Sequence, residues 1–112
     1  MKKIEAVIRP GKVGSVCTAL DKIGYPGIMI TEIEGHGKQK GIEQEFRGKI
    51  YKTELMNKAK IEVVVNDKDL DKTVKAIREG AFTGKVGDGK IFIYPMDNVI
   101  RIRTEEKGET AV

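Results

Sequence analysis

The 112-residue chain contains no tryptophan, one cysteine and one histidine. The single cysteine, Cys17, excludes a disulfide framework within the chain and fits a reducing cytosol. It lies inside an amphipathic pattern, where a small core residue is expected rather than a nucleophile. With one histidine, His36, a multi-histidine metal site cannot be assembled in one chain, and a catalytic triad would have to use that residue. Glu43, Glu45 and Glu54 show no ligand spacing, and no nucleophile–base pair stands out, so an enzyme is not expected. No apolar run approaches the roughly 18 residues needed to cross a bilayer. The start, "MKKIEAVIRP", alternates charge with apolar residues and does not form a signal peptide. A cytoplasmic protein is expected.

With 39% hydrophobic and 34% charged residues, the composition is that of one folded domain with a modest core. The net charge of +4 suits anionic partners without choosing among them. Much of the surplus lies in Lys38, Lys40, Arg47, Lys49 and Lys52, within one stretch, "GHGKQKGIEQEFRGKIYKTEL". That stretch has no long apolar run and reads as a long solvated loop over about residues 37–55. A loop of this length in a compact domain signals function.

On either side the patterns are regular. Ile4, Ala6 and Ile8 alternate with Lys3, Glu5, Val7 and Arg9, which predicts a strand ended by Pro10. Val13, Val16, Leu20 and Ile23 recur at helical spacing, with Gly24 as a stop. "IMITEIE" and "AKIEVVV" predict two more strands. Asn66 suits a helix N-cap, with Asp67 and Asp69 at the positive end of the dipole and Leu70, Val74, Ile77 and Ala81 as the apolar stripe. "KIFIYPM" predicts a fourth strand, "NVIRIR" a short fifth, and "TEEKGETAV" a mobile polar tail. The order points to a ferredoxin-like split βαβ fold, class α+β, with both helices on one side of the sheet. Val7 and Val64 lie opposite the main stripes, which favours covering the other face by oligomerisation.

Three places could carry chemistry. In "TGKVGDGK", Gly84, Gly89 and Lys90 match the start of a Walker A motif, but Ile91 stands where a hydroxyl is needed. The segment also precedes a strand instead of opening a helix. It can still form an anion nest over about residues 83–90, or be only a helix-to-strand turn. In "VIRIR", Arg101 and Arg103 would leave one face of a strand, suited to phosphate oxygens or to solvated edge pairing. The glycine-rich start of the loop, "GHGKQKG", implies close approach of backbone to a ligand. Tyr51 sits near the far base of the loop, open to a modifying enzyme.

Together, "GKQKG…FRGKIY" and "TGKVGDGKIF" at this separation resemble the PII nitrogen-regulatory signalling proteins, over nearly the whole chain. The resemblance implies a homotrimer with ATP or ADP between subunits and the long stretch as the T-loop. It implies nucleotide contacts from Val7, Met29, Gly35, Gly37, Lys38, Gln39, Val64, Gly87, Asp88, Gly89 and Lys90, with Arg101 and Arg103 reaching across the subunit boundary. Gln39 matches the residue that meets Mg²⁺, and Gln39, Lys40, Gly41 and Lys58 those that hold 2-oxoglutarate. Beside ATP a dicarboxylate needs cations, which Mg²⁺ and Lys58 would supply. Arg47 matches the residue that enters the pore of an ammonium transporter, and Tyr51 the tyrosine that some bacterial members have nucleotidylated. Nitrogen-assimilation enzymes are the other implied partners, and membrane recruitment would come only through the transporter. Met29, His36 and Asn57 depart from the common residues.

Two other classes compete: a ferredoxin-like RNA-binding domain, from Phe92 and Tyr94 alternating on one strand, and a nucleotide-hydrolysing enzyme. The RNA reading gives the long loop no role, and the enzyme reading lacks a base.

Overall fold

The computed structural model describes residues 1–25, 27–46 and 49–112, and for 35–46 and 49–56 the backbone pairing only. Strand β1 (Lys2–Ile8) leads through a 3-10 turn at Pro10–Lys12 into helix α1 (Val13–Lys22). Strands β2 (Met29–Phe46) and β3 (Lys49–Val65) follow, then α2 (Leu70–Ala81) and β4 (Lys90–Pro95). The sheet is antiparallel in the order β2-β3-β1-β4, with the connectivity expected of a ferredoxin-like split βαβ.

Alternation along β1 sets the two faces. Ile4 lies opposite Val63 on one side and Ile93 on the other, and Ala6 opposite Ile61 and Ile91. Ile93 stays half-exposed and Ile91 packs at the margin, while Ile4, Ala6, Ile61 and Val63 meet Val16 and Leu20 of α1 and Ile77 of α2 in one buried core. Each such side chain contributes about 1.5–3 kcal/mol on leaving water. Gly80 lets the helices cross closely, because a Cβ there would stand 3.0 Å from the Cα of Val16. Helix α1 stops as its sequence requires: Gly24 has φ +90°, its N–H bonds Asp21 O, and Tyr25 N–H bonds Leu20 O at 2.9 Å.

Four expectations need correction. The stretch read as a loop over 37–55 continues the two strands, with Ile42–Phe46 paired to Lys49–Thr53 and a register shift between Gly37 and Ile42. The ladder is made by backbone groups, so it needs no apolar stripe to announce it. The predicted fifth strand reduces to an isolated bridge between Ile100 and Lys107. Arg101 N–H bonds Glu106 O and Glu105 N–H bonds Arg101 O, both at 2.9 Å, so the chain doubles back where the arginines stand. The tail is not a loose end: Gly108–Ala111 forms a 3-10 helix and Ala111 is buried. Asn66 precedes a 3-10 turn at Asp67–Asp69 without a side-chain cap, and its Oδ1 is buried without a hydrogen-bond partner among the described residues. Its backbone oxygen accepts from Asp69 N–H instead, at 2.9 Å.

The N-terminal region of α2 is held by its acids. Asp67 pairs with the amino terminus at 2.8 Å, while Asp69 accepts from the Tyr25 hydroxyl and pairs with Lys72 at 3.1 Å. Burial, then the Asp69 carboxylate, pushes the Tyr25 phenol up to about 12. Because Leu20 is fully buried, Leu20→Ala should cost about 2–5 kcal/mol of unfolding free energy. Urea denaturation measures this, and a loss below ~1 kcal/mol would contradict the packing described.

Candidate functional site

The residues joining α2 to β4, Thr83 to Gly89, form a turn built around one carboxylate. Asp88 accepts from the N–H groups of Thr83 and Gly84, each at 2.9 Å, and from the Thr83 hydroxyl. Thr83 Oγ1 in turn accepts from Lys85 N–H at 3.1 Å. Arg9, at the end of β1, donates from Nε to Asp88 Oδ1 at 3.2 Å and from Nη2 to Val86 O at 2.7 Å. The Asp88 side chain thus organises the turn itself. The Thr83 hydroxyl, then backbone N–H groups and Arg9, hold its pKa well below the usual carboxylate range.

Two glycines make the turn possible. Gly87 has φ +104° and Gly89 φ +102°. A Cβ on Gly89 would sit 1.7 Å from Val7 O, so only glycine lets the turn press against β1 where Lys90 pairs with Val7. None of the hydrogen bonds formed among the described residues uses the N–H of Gly87 or Gly89.

On the open face of the sheet, Val7, Lys58, Gly87, Gly89, Lys90 and Phe92 line a cavity of about 330 Å³. That is at the lower end of the roughly 300–1,000 Å³ usual for small-molecule sites. Lys58 is 8% exposed, and its Nζ donates to Gly87 O at 2.5 Å. The walls are apolar at Val7 and Phe92, and the cations come from Lys58 and Lys90. Lys58 also borders a second cavity, of about 420 Å³, with Pro10, Glu32, Ile33, Glu34 and Asn57.

The structure therefore brings together Val7, Lys58, Gly87, Gly89 and Lys90 of the expected site residues. Met29 and Val64 lie on the same sheet, Met29 opposite Glu62 and Val64 opposite Lys3, without lining this cavity. Arg101 and Arg103 are exposed in the C-terminal turn and do not line this cavity, and Arg101 faces Glu106 at 3.6 Å. Gly35 and Gly37 pair with Met56 and Glu54 through the ladder. The side chains of Lys38, Gln39, Lys40 and Tyr51 lie outside the described residues, as does Arg47, and Gly41 is described by its backbone alone. No sequence motif marks Arg9 or Thr83 as site residues. Arg9 and Asp88 are 79 positions apart, so no local spacing could have linked them.

Beyond the cavity the open face carries a charge ladder. Lys3 pairs with Glu62 at 2.9 Å, and Lys60 lies 3.4 Å from Glu62 and 3.9 Å from Glu5. The Lys3 hydrogen bond is the main cause holding the Glu62 pKa below its ordinary value. Phe92 stands directly opposite Glu5, and Tyr94 opposite Lys3. A carboxylate beside the would-be stacking ring disfavours a nucleic-acid phosphate backbone there.

The fold and the cavity define a small ferredoxin-like domain with a glycine-lined, cationic pocket at the edge of an uncovered sheet face. A family model described as "Nitrogen regulatory protein P-II" matches residues 1–106. The chain is 50% identical over 112 residues to nitrogen regulatory protein P-II 2 of Methanothermobacter thermautotrophicus, covering 100% of this chain and 97% of that protein. It is 47% identical to the Pasteurella multocida protein P-II, over the full length of both. A crystal structure of Arabidopsis thaliana PII bound to citrate superposes with a TM-score of 0.82 at 38% identity, covering 99% of this chain and 91% of that one. The chain belongs to the PII nitrogen-regulatory family of signalling proteins.

Asp88 should remain ionised at every pH above the usual carboxylate value of 3.8. Its acidity is raised on folding, so the stability it lends is complete above that value and is lost as pH falls through the folded one. Carboxyl ¹³C shifts should show no Asp88 inflection between about pH 4 and pH 8. An inflection within that window would mean that the turn is not built on this carboxylate.

Proposed function

We propose that the chain is the subunit of a homotrimeric sensor that binds ATP or ADP and, with Mg²⁺ and ATP, 2-oxoglutarate. The observation that carries this reading is the convergence of Lys58, Lys90 and the two glycines, Gly87 and Gly89, on one cavity with an apolar wall. Phosphate oxygens suit such donors, and Val7 with Phe92 offers an apolar surface to a base or ribose. The site is only partly assembled in one chain, since Met29, Val64, Arg101 and Arg103 do not reach it. Completion by a neighbouring subunit accounts for those residues and for the half-exposed open face.

Among the described residues, no three His, Cys, Asp or Glu side chains come together as a metal cage. A magnesium ion carried by phosphate oxygens, with Gln39 as the protein donor, needs no such cage. Its charge, with that of the Lys58 ammonium, would offset the repulsion between a dicarboxylate and the phosphates. The citrate in the Arabidopsis relative is likewise a polycarboxylate. Effector binding beside Gln39, Lys40 and Gly41 would act on the long β2–β3 ribbon and so on partners: an ammonium transporter through Arg47, or nitrogen-assimilation enzymes. Tyr51 would be the site of any nucleotidylation. The output is a change of partner, and no step requires catalysis.

Calorimetric titration of 2-oxoglutarate with Mg²⁺ tests the reading. Binding is expected with ATP present and not with ADP, and Lys58→Met should abolish it while leaving the trimer intact by analytical ultracentrifugation. Failure of ATP itself to bind the wild-type protein would refute the nucleotide site. Retention of 2-oxoglutarate by Lys58→Met would refute its carboxylate role.

A further inference from the structure

Gly87 has no side chain and φ +104°, so nothing local fixes the two peptide groups that flank it. Each is nevertheless held by a cation from elsewhere in the chain. Val86 O accepts from Arg9 Nη2 at 2.7 Å, and Gly87 O from Lys58 Nζ at 2.5 Å. A peptide group is planar and trans, so its C=O and the following N–H point in opposite directions. Anchoring Val86 O on Arg9 therefore aims the Gly87 N–H away from the guanidinium, and anchoring Gly87 O on Lys58 does the same for the Asp88 N–H. Arg9 grips a second point as well, Asp88 Oδ1, through which it reaches Thr83 and Gly84.

We propose that Arg9 is a positioning residue for nucleotide binding, holding the glycine turn in the one peptide orientation that presents its N–H groups to phosphate. This rests on the nucleotide reading given above. Arg9 does not line the glycine-bordered cavity and acts through Val86, Asp88 and the turn. The guanidinium suits the task because its planar fork donates at once to a carboxylate and a carbonyl in different directions.

A charge-only role makes the opposite prediction at one position. If Arg9 merely added positive potential, removing the negative charge of Asp88 would strengthen ATP binding. If Arg9 works through the clamp, the same change breaks the clamp and weakens binding. The test is calorimetric ATP titration of wild type, Arg9→Gln and Asp88→Asn, with nucleotide-free thermal melts and ¹H–¹⁵N spectra. Each substitution should weaken ATP by about tenfold or more, the scale of a lost charge-assisted hydrogen bond. The Gly87 and Gly89 amide resonances of nucleotide-free Arg9→Gln should move while resonances of the β1–β3 core stay in place. Wild-type ATP affinity in Arg9→Gln, tighter binding in Asp88→Asn, or unmoved glycine amides would each overturn the proposal. A wild-type protein that takes no ATP would overturn the nucleotide reading and this role with it. Binding by wild type with unaltered variants would remove only the role of Arg9.

Discussion

A four-stranded sheet with helices on one side has to solve two different problems on its two faces, and β1 sits where both meet. Toward the helices, Ile4, Ala6 and Ile8 need dry, close contact, and α1 and α2 supply it. On the other side no element of the chain covers the sheet among the described residues. There the same strand offers Lys3, Glu5 and Val7. Lys3 and Glu5 are tied to Glu62 and Lys60 of β3, so charge is neutralised in place without being buried. Exposed or half-exposed pairs of this kind stabilise a monomer little. Their value is in keeping the face soluble while leaving it orderly enough to meet another surface.

The cavity arises from the same geometry. Val7 is the last open-face residue of β1, and the turn before β4 presses on its carbonyl because Gly89 has no Cβ. That contact fixes the distance between β1 and the glycine turn. Two cations then bridge the turn to the sheet, Arg9 from the end of β1 and Lys58 from β3. A segment with several positive-φ glycines would otherwise be a poor binding surface, since its ordering would fall on the ligand. Held by Asp88 from within and by the two cations from outside, it is ordered beforehand.

Legibility in the sequence followed the physics of each part. The core strands and both helices alternate or recur against a single apolar layer, so periodicity located them: Ile61, Val63 and Val65 are all buried as their spacing implies. The ribbon of β2 and β3 beyond that layer was read as loop because its pairing is carried by backbone groups, which leave no composition signal. "VIRIR" failed in the opposite direction. Its alternation is perfect, yet hydrogen bonds to Asn98 Oδ1 and within 101–106 turn the chain back before a strand can form. At the site, glycine and lysine spacing pointed to the turn. The resemblance was needed to bring Val7 and Lys58 into it, and neither could reveal Arg9, whose partners are distant in sequence and near only in the folded sheet.

Lys58 occupies the one position that borders both cavities, and this constrains how the site can respond to ligands. The residue is almost fully buried, and its ammonium donates to the carbonyl of the glycine turn. A buried cation is costly unless its hydrogen bonds are satisfied, so a carboxylate entering the neighbouring cavity must either add to the Gly87 contact or replace it. In the first case the turn keeps its shape and the two ligands help one another through opposite charges. In the second, the Gly87 peptide loses one of its two anchors and the phosphate site softens as the effector binds. Linkage makes either effect reciprocal: whatever the dicarboxylate does to nucleotide affinity, the nucleotide does equally to the dicarboxylate. In the proposed reading magnesium would choose between them, because phosphates neutralised by the metal would lose less when the turn relaxes and repel the incoming carboxylate less. Of the two nucleotides in the proposed reading, the one that better retains the metal would therefore be the one that admits the effector.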